Sequence, residues 1–318
     1  MIPDPTKPKI VVICGPTGVG KTAVAVDLAP LFHGEIIGAD SMQVYRHMDI
    51  GTAKPGAREL KAVPHHMIDM VDPDGAVDAA RYAQTARNKI TDLHRRHVLP
   101  FVVGGTGLYI KALLHGLFAA REVAPEIRSR LKAEAALLGS KALHRRLCEC
   151  DPQAAEKIHA HDAYRIIRAL ETFEATGKPL SGYHNEHRFA GNPYSVLKIG
   201  LTLDRKTLYE RIEKRTERMM AAGFIDEVKN LMAMGYAPGL NSMQALGYRH
   251  ISGYLAGRWS EEEMLRTLTR DTRRYAKRQL TWFKKDAAVI WKQPDQTEDI
   301  KHLVENFLRR GRPLCLPA

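Results

Sequence analysis

The chain has 318 residues and an ordinary globular composition, which allows one large or two moderate domains. Four irregularly spaced cysteines, Cys14, Cys148, Cys150 and Cys315, exclude a disulfide framework or a zinc finger and predict reduced thiols. The net charge of +12 predicts a polyanionic partner such as nucleic acid, with an unspecialised basic surface as the alternative. The sequence has no signal peptide and no apolar run of membrane-spanning length, so we expect no membrane partner and a cytoplasmic location.

The first predicted strand, residues 9–14, leads into a glycine-rich stretch that opens onto a helix. This order of strand, loop and helix fits the Walker A pattern of a phosphate-binding loop. Backbone amides there can approach phosphate oxygens, Lys21 would reach the outer phosphate, and the Thr22 hydroxyl would ligate Mg²⁺. The predicted di- or triphosphate site comprises Gly15, Pro16, Thr17, Gly18, Val19, Gly20, Lys21 and Thr22. The alternative is a glycine-rich turn with an accidental lysine.

Polar residues follow the next two buried strands. The apolar run 34–39 ends at Asp40, and the run 99–103 ends at a second glycine loop, 104–107, which contains Thr106. In a parallel sheet these ends share the edge that carries the phosphate loop, so Asp40 and Thr106 are candidates for chemistry there. The alternatives are that Asp40 caps a helical turn and that the glycine loop is only a tight turn.

The composition shifts near residue 121, and residues 121–194 are rich in charge and in helix-forming residues. We predict a helical insertion domain over this range, within an α/β core formed by residues 1–120 and 195–318. Arg165 and Arg168 are three residues apart and share one helix face, where they could meet an anion. The alternative is that they pair with Glu171 and Glu174 on a solvated face.

The chain returns to strand at residues 195–203, and Asp204 can cap a long helix that carries Arg211, Arg215 and Arg218. Arginines beside an apolar stripe can reach a cleft and clamp phosphate, although arginines that stay on the surface are commoner.

Ser260 begins another long helix, which is basic along one face and ends in the aromatic pair Trp282 and Phe283. Such a face suits a nucleic-acid backbone, where each neutralised phosphate releases counterions; the alternative is a helix face that is only soluble. The basic side chains are Arg266, Arg270, Arg273, Arg274, Lys277 and Arg278. With a last strand at 289–291 and a helix over 297–309, the pattern predicts an α/β fold with a parallel sheet flanked by helices.

Taken in order, these motifs resemble the bacterial tRNA dimethylallyltransferases over nearly the entire chain. Each motif alone is weak, but the ordered set is highly specific. The motifs are GPTGVGKT at 15–22, DSMQVY at 40–45, GTAKP at 51–55, HHMID at 65–69, GGTGLY at 104–109, RIIRALE at 165–171 and LGYR at 246–249. The resemblance implies a P-loop NTPase-like fold that transfers a dimethylallyl group from dimethylallyl diphosphate to the N6 amine of an adenosine. That adenosine lies 3′ of the anticodon, at tRNA position 37, and the product is N6-isopentenyladenosine.

The resemblance also implies roles for individual residues. The phosphate loop and Arg215 would hold the diphosphate, with Mg²⁺ on Thr22 stabilising the leaving group. Asp40 would be the general base for the amine, and Thr106 would contact the reactants across a channel. The implied tRNA contacts are Asp40, Ser41, Met42, Gln43, Thr106, Arg128, Tyr164, Arg165, Ile166, Ile167, Arg168, Gln244, Ala245, Leu246, Gly247, Tyr248 and Arg249.

The implied partners are the tRNA anticodon stem-loop and dimethylallyl diphosphate, bound by a monomer. The sequence carries no Cys/His finger like that of eukaryotic relatives, which implies an enzyme of the bacterial type.

Three other functions also fit parts of the sequence. A P-loop small-molecule or nucleoside kinase would use ATP at the same loop and Asp40 to activate a hydroxyl, but it leaves the basic helices without a role. An isopentenyltransferase acting on free adenine nucleotides would likewise not need them. A nucleotide-dependent RNA-binding module would bind and hydrolyse ATP or GTP without modifying the RNA.

Overall fold

The computed structural model describes residues 7–116, 125–187 and 192–309. The chain divides into two compact units, Met1–Leu114 with Pro193–Ala318, and His115–Asn192. We call the first the sheet unit and the second the helical unit. The sequence placed the division at residues 120/121 and 194/195. Residue 121 lies outside the described residues.

Three of the four cysteines, Cys14, Cys148 and Cys150, are free thiols. Cys315 lies outside the described residues.

The sheet unit is built on a parallel sheet with strand order β3-β2-β4-β1-β5-β6. Its strands are Lys9–Cys14 (β1), Gly34–Gly38 (β2), His65–His66 (β3), Leu99–Gly104 (β4), Ser195–Leu201 (β5) and Val289–Lys292 (β6). The central strand β1 pairs with β4 on one side and with β5 on the other, so that Val12 lies between Val102 and Lys198. Continuous apolar runs such as IVVIC in β1 form strands covered on both faces, which is why the parallel sheet could be predicted.

Helices cover the sheet and make up the helical unit. Within the described residues they are Lys21–Leu28 (α1), Ala57–Ala62 (α2), Ala79–Arg95 (α3), Gly107–His115 (α4), Pro125–Leu138 (α5), Ser140–Cys150 (α6), Pro152–Lys157 (α7), Ala163–Thr176 (α8), Leu180–His187 (α9), Arg205–Ala221 (α10), Phe224–Ala233 (α11), Tyr248–Leu255 (α12), Glu261–Phe283 (α13) and Thr297–Arg309 (α14). The predicted α/β fold with a helical insertion is therefore confirmed. The sequence did not predict α2, which buries no residue, or α9.

Side-chain caps fix several helix starts where the sequence placed them. Asp204 accepts a hydrogen bond from the Thr207 amide at the start of α10, and Ser260 accepts one from the Glu263 amide at the start of α13. Asp151 does the same for α7 through the Ala154 amide. These caps satisfy amide groups that have no partner inside the helix, so they define the helix boundaries.

Each unit has its own core. In the sheet unit, side chains of β1, β4 and β5 such as Ile13, Phe101 and Ile199 pack against the flanking helices. In the helical unit, Leu131, Leu147 and further apolar side chains of α5 to α8 form a separate cluster. No helix in the described residues is both long enough and apolar enough to cross a membrane.

Candidate active site

The predicted phosphate loop joins β1 to α1 at the carboxyl edge of the sheet. Gly20 precedes the first residue of α1 with φ of 106° and ψ of 22°, a left-handed conformation that favours glycine, and no side chain caps this helix. The amides at the start of α1 are therefore not taken by a capping side chain. A helix start of this kind has a positive dipole end and suits a phosphate group.

Lys21, the first residue of α1, bends back over the loop, and its Nζ donates a hydrogen bond to the Pro16 carbonyl at 2.8 Å. Burial lowers the pKa of its amine to about 8; the nearby Asp40 carboxylate opposes this shift, and Arg215 adds to it. The amine is thus held close to both side chains. An anion bound in the loop would favour the protonated form of Lys21.

A cavity of about 390 Å³ opens beside this loop, within the sheet unit. Its lining includes three segments that are distant in the sequence, residues 40–43, 51–53 and 244–249. Residues of the phosphate loop, α10 and α13 also line it. Its polar lining includes Thr17, Lys21, Thr22, Asp40, Ser41, Gln43, Thr52, Arg215, Gln244, Arg249, Tyr275, Arg278 and Gln279. Its apolar lining includes Ile212, Met219, Phe224, Leu246 and Leu268. The cavity therefore has a cationic end beside an apolar wall.

Asp40 follows β2 and lines this cavity. Its Oδ1 accepts a hydrogen bond from the Met42 amide at 2.9 Å, and the chain continues as a turn instead of a helix. As the alternative predicted, Asp40 caps the turn that follows it, although that turn does not continue as a helix, and the same side chain lines the cavity. The hydrogen bond fixes one carboxylate oxygen, and the carboxylate remains part of the cavity surface.

Thr106 is not among the residues that line the cavity. Its Oγ1 accepts a hydrogen bond from the Ser41 amide at 3.0 Å, and its own amide donates to the Ala39 carbonyl at 3.1 Å. The neighbouring Gly104 allows this approach, since a Cβ atom there would lie 2.1 Å from the Ala39 carbonyl oxygen. In this structure Thr106 holds the segment that carries Asp40.

The three arginines of α10 have different surroundings. Arg215 lines the cavity, and burial lowers its pKa while the Asp40 carboxylate opposes that shift. Arg211 donates to the Val19 carbonyl of the phosphate loop at 3.2 Å, and Arg218 donates to a carbonyl of its own helix. All three also line a second cavity of about 870 Å³, which shares Lys21, Thr22 and Arg215 with the first. Arg215 is therefore the arginine of α10 that faces both cavities.

Comparisons with known proteins identify the family. The model of the IPP transferase family matches residues 43–286. The chain belongs to the IPP transferase family. It is 54% identical to the tRNA dimethylallyltransferase of Desulfosudis oleivorans over 97% of this chain and 98% of that protein. It is also 48% identical to the tRNA dimethylallyltransferase of Geobacter sulfurreducens, over 95% of this chain and 97% of that protein.

Solved structures of this family have the same fold. The tRNA isopentenylpyrophosphate transferase of Bacillus halodurans matches with a TM-score of 0.72 and 42% identity, over 96% of this chain and 98% of that one. A eukaryotic dimethylallyltransferase acting on tRNA matches with a TM-score of 0.80 and 28% identity, over 97% of this chain and 81% of that one.

In this member of the family, the predicted segment 244–249 lines the same cavity as Asp40. The side chains of this segment differ in their exposure to solvent. Tyr248 is only 1% exposed, and its hydroxyl donates to Glu227 at 2.6 Å. Arg249 is exposed and donates to Asp271 at 2.8 Å. Contact between segment 244–249 and tRNA stays a prediction.

The predicted tRNA-contacting residues of the helical unit also differ in exposure. Ile166 and Ile167 belong to the core of this unit, and the contact of segment 164–168 with tRNA stays a prediction. Tyr164 is 79% exposed, and the exposed Arg165 pairs with Asp162. An amphipathic helix must turn one face inward, and here the two isoleucines of the motif form that face.

Arg128 and Arg168 share one buried partner. Both donate to the carboxylate of Glu171, at 2.6 Å and 2.5 Å. Burial alone would raise the pKa of Glu171, but these hydrogen bonds hold it below its ordinary value. The predicted pair between Arg168 and Glu171 is present, but Glu171 is buried and does not lie on a solvated face. Arg165 pairs with Asp162, and Glu174 pairs with Arg130 and Arg146.

Two residues that organise the site were not predicted. Glu227 of α11 accepts hydrogen bonds from the amides of Asp49, Ile50 and Gly51, in addition to the Tyr248 hydroxyl. Gln279 of α13 contacts both the phosphate loop and the second glycine loop. Neither belongs to a local motif, because their partners lie far away in the sequence.

Proposed function

We propose that the chain transfers a dimethylallyl group from dimethylallyl diphosphate to the N6 amine of the adenosine 3′ of the anticodon in tRNA, at position 37. One observation carries the proposal: a cationic phosphate loop, a carboxylate and an apolar wall line one cavity. The phosphate loop and the apolar wall suit an allylic diphosphate, and the carboxylate suits an amine acceptor that must lose a proton.

The diphosphate would bind to the amides at the start of α1, with Lys21 and Arg215 neutralising its charge. Lys21 would exchange its hydrogen bond with the Pro16 carbonyl for one with a phosphate oxygen. Burial lowers the pKa of the Lys21 amine in the free protein, and a bound phosphate would raise it again because the anion stabilises the protonated amine. The phosphate loop would thus stabilise the leaving group as its negative charge develops.

Mg²⁺ fits the same end of the cavity. The Thr22 hydroxyl lines the cavity beside Lys21, and oxygen ligands of this kind, completed by phosphate oxygens and water, suit this cation. When bound, the ion would neutralise part of the charge on the diphosphate. We propose Thr22 as its protein ligand.

Asp40 would act on the acceptor. The N6 amine attacks the allylic carbon, the bond from that carbon to the bridging oxygen breaks, and diphosphate leaves. The amine loses one proton as the new carbon–nitrogen bond forms, and the carboxylate of Asp40 would accept it. The hydrogen bond from the Met42 amide orients the carboxylate for this role.

The apolar wall would bind the five-carbon group. Ile212, Met219 and Leu268 contribute aliphatic side chains to the cavity lining. Burial of the dimethylallyl tail against them favours binding and keeps water from the allylic carbon, where water would otherwise compete with the amine.

Basic surfaces in each unit would bind the anticodon stem-loop. On α13 the exposed Lys277 and Arg278 continue into Lys284 and Lys285, and in the helical unit Tyr164 and Arg165 are exposed. Contacts with phosphates would offset the cost of removing the target base from its stack, a few kcal/mol. A monomeric state and a cytoplasmic location remain predictions.

Mass spectrometry of digested tRNA tests the proposal. The protein is incubated with unmodified tRNA, Mg²⁺ and either dimethylallyl diphosphate or ATP. We expect a five-carbon gain on one adenosine with the allylic diphosphate alone, and none when Mg²⁺ is chelated. Consumption of ATP without a modified nucleoside would support a kinase or an RNA-binding switch and would reject the transferase.

A further inference from the structure

A glutamine of α13 joins the two loops on which the proposed reaction depends. Gln279 is 6% exposed and uses both ends of its side-chain amide. Its Oε1 accepts a hydrogen bond from the Thr17 amide of the phosphate loop at 2.8 Å. Its Nε2 donates to the Gly105 carbonyl of the second glycine loop at 2.9 Å. One side chain thus spans the ends of β1 and β4.

The second glycine loop packs directly on this face of α13. A Cβ atom at Gly105 would lie 2.2 Å from the Gln279 Nε2, and one at Gly107 would lie 2.1 Å from the Trp282 indole nitrogen. One turn before Gln279, Tyr275 contacts Thr106 and lines the cavity. The inner face of α13 therefore follows the loop from Gly105 to Gly107.

The connection continues to the carboxylate. Thr106 follows Gly105 and accepts a hydrogen bond from the Ser41 amide, and Ser41 follows Asp40. On the other side, Thr17 lies four residues before Lys21 in the phosphate loop. Gln279 therefore sits between the group proposed to hold the diphosphate and the group proposed to accept the proton.

We propose that Gln279 is a positioning residue for the transfer, and this inference rests on the proposed function. It fixes the orientation of the Thr17 peptide, whose N–H is directed to Gln279, so that the remaining loop amides and Lys21 face the diphosphate. It also fixes the distance between the phosphate loop and the Gly105–Thr106 segment. Both hydrogen bonds of its side chain go to the protein backbone, so it would act through the two loops that it joins.

The first test replaces Gln279 by methionine, which has a similar shape but no amide. In Gln279→Met the Thr17 N–H and the Gly105 carbonyl lose a buried partner, so both loops can shift. We expect kcat/KM for dimethylallyl diphosphate to fall about tenfold to a hundredfold, with a raised KM, while the Kd for tRNA stays unchanged. Gln84→Met, an exposed glutamine of α3, is the matched control and should retain wild-type kinetics.

The second test uses Gln279→Glu and a pH profile, and it remains informative if the methionine variant does not fold. A protonated glutamic acid can donate to the Gly105 carbonyl and accept from the Thr17 amide, whereas the carboxylate can only accept. The activity of this variant relative to wild type should therefore rise as the pH is lowered. Dividing by the wild-type activity at each pH removes the pH effects that the two proteins share.

The outcomes separate this inference from the function on which it rests. A wild-type protein that forms no modified nucleoside would overturn the proposed function and the inference together. Wild-type transfer with a pH-independent ratio for Gln279→Glu would overturn the inference alone. So would a Gln279→Met variant that folds and has an unchanged KM for dimethylallyl diphosphate.

Discussion

Two parts of the cavity lining are built in different ways. The phosphate loop, residues 15–22, is one continuous segment whose anion-binding groups are its own backbone amides and Lys21. A second part of the lining, which we call the acceptor wall, consists of residues 40–43, 51–53 and 244–249. Side chains from elsewhere hold that wall together: Thr106 binds the Ser41 amide, and Glu227 binds the amides of residues 49–51 and the Tyr248 hydroxyl.

Because of this difference, substitutions in the phosphate loop and in the acceptor wall should have different effects. The phosphate loop supplies its anion-binding groups from one segment, although Gln279 and Arg211 also contact its backbone, so substitutions of those groups should change anion binding and leave the rest of the cavity intact. The acceptor wall depends on a few polar side chains that each hold several groups. A substitution of one of these should disturb residues far from it in the sequence.

Removing the carboxylate of the acceptor wall should have the largest effect. We expect Asp40→Asn to lower kcat about a hundredfold to ten-thousandfold, because the amide cannot accept the amine proton. The affinities for inorganic pyrophosphate and tRNA should stay within a few-fold of wild type, since neither depends on that proton transfer. Steady-state kinetics and calorimetry measure both, with the exposed Asp27→Asn of α1 as control. Near-normal turnover would exclude Asp40 as the base.

Loss of the Glu227 charge should disturb the acceptor wall as a whole. An amide has only one oxygen acceptor for the four donors that the carboxylate holds. We expect Glu227→Gln to reduce kcat/KM about tenfold to a hundredfold and to lower the melting temperature, with pyrophosphate binding nearly unchanged. Asp226→Asn on the same helix, where the carboxylate is exposed, is the matched control. Equal loss of pyrophosphate affinity would mean that the two parts are not independent.

The phosphate loop should respond to pH through Lys21. The pKa of this amine is about 8 in the free protein, so the neutral form predominates above that pH. A bound diphosphate favours the protonated form, and binding must therefore take up a proton at higher pH. Pyrophosphate affinity should fall by up to about tenfold per pH unit above about pH 8.

Calorimetry in buffers of different ionisation enthalpy measures this proton uptake directly. Lys21→Met should bind more weakly and lose the pH dependence. Proton uptake that persists in this variant would assign the titration to another group.

The smallest expected effect concerns the exposed basic face of α13. Lys277→Ala combined with Lys284→Ala should weaken tRNA binding several-fold and reduce the slope of log Kd against log salt by about two. Exposed Lys206→Ala on α10 serves as control. An unchanged slope would move the RNA surface away from α13. Arg273 is less suitable for this test, because it pairs with Glu213 and lies over the ring of Tyr209.

The sequence predicted the elements whose causes are local. The apolar run of β1, the glycine loop and the start of α1 are adjacent in the chain, and α14 was predicted over its observed range. Asp40 could be selected because it follows a buried strand at the sheet edge where ligands bind. The backbone conformation of the phosphate loop is set by adjacent residues, so the loop could be predicted from one stretch of sequence.

Tertiary packing decided the rest. A sequence pattern could not indicate that Tyr248 turns inward to Glu227 or that Ile166 and Ile167 form the core of the helical unit. Glu227 lies 176 to 178 residues from the amides it holds, and Gln279 lies 262 residues from Thr17. Contacts at such separations follow from the fold and leave no spacing in the chain by which they could be recognised.

A crystal structure with dimethylallyl thiolodiphosphate, an unreactive analogue, and Mg²⁺ would test the central claim most directly. We expect the diphosphate on the amides of residues 18–22, Lys21 turned from the Pro16 carbonyl to a phosphate oxygen, and Arg215 on the same anion. The five-carbon tail should lie against Ile212, Met219 and Leu268, with Asp40 beyond it. A diphosphate bound elsewhere, or a tail directed away from Asp40, would contradict the account.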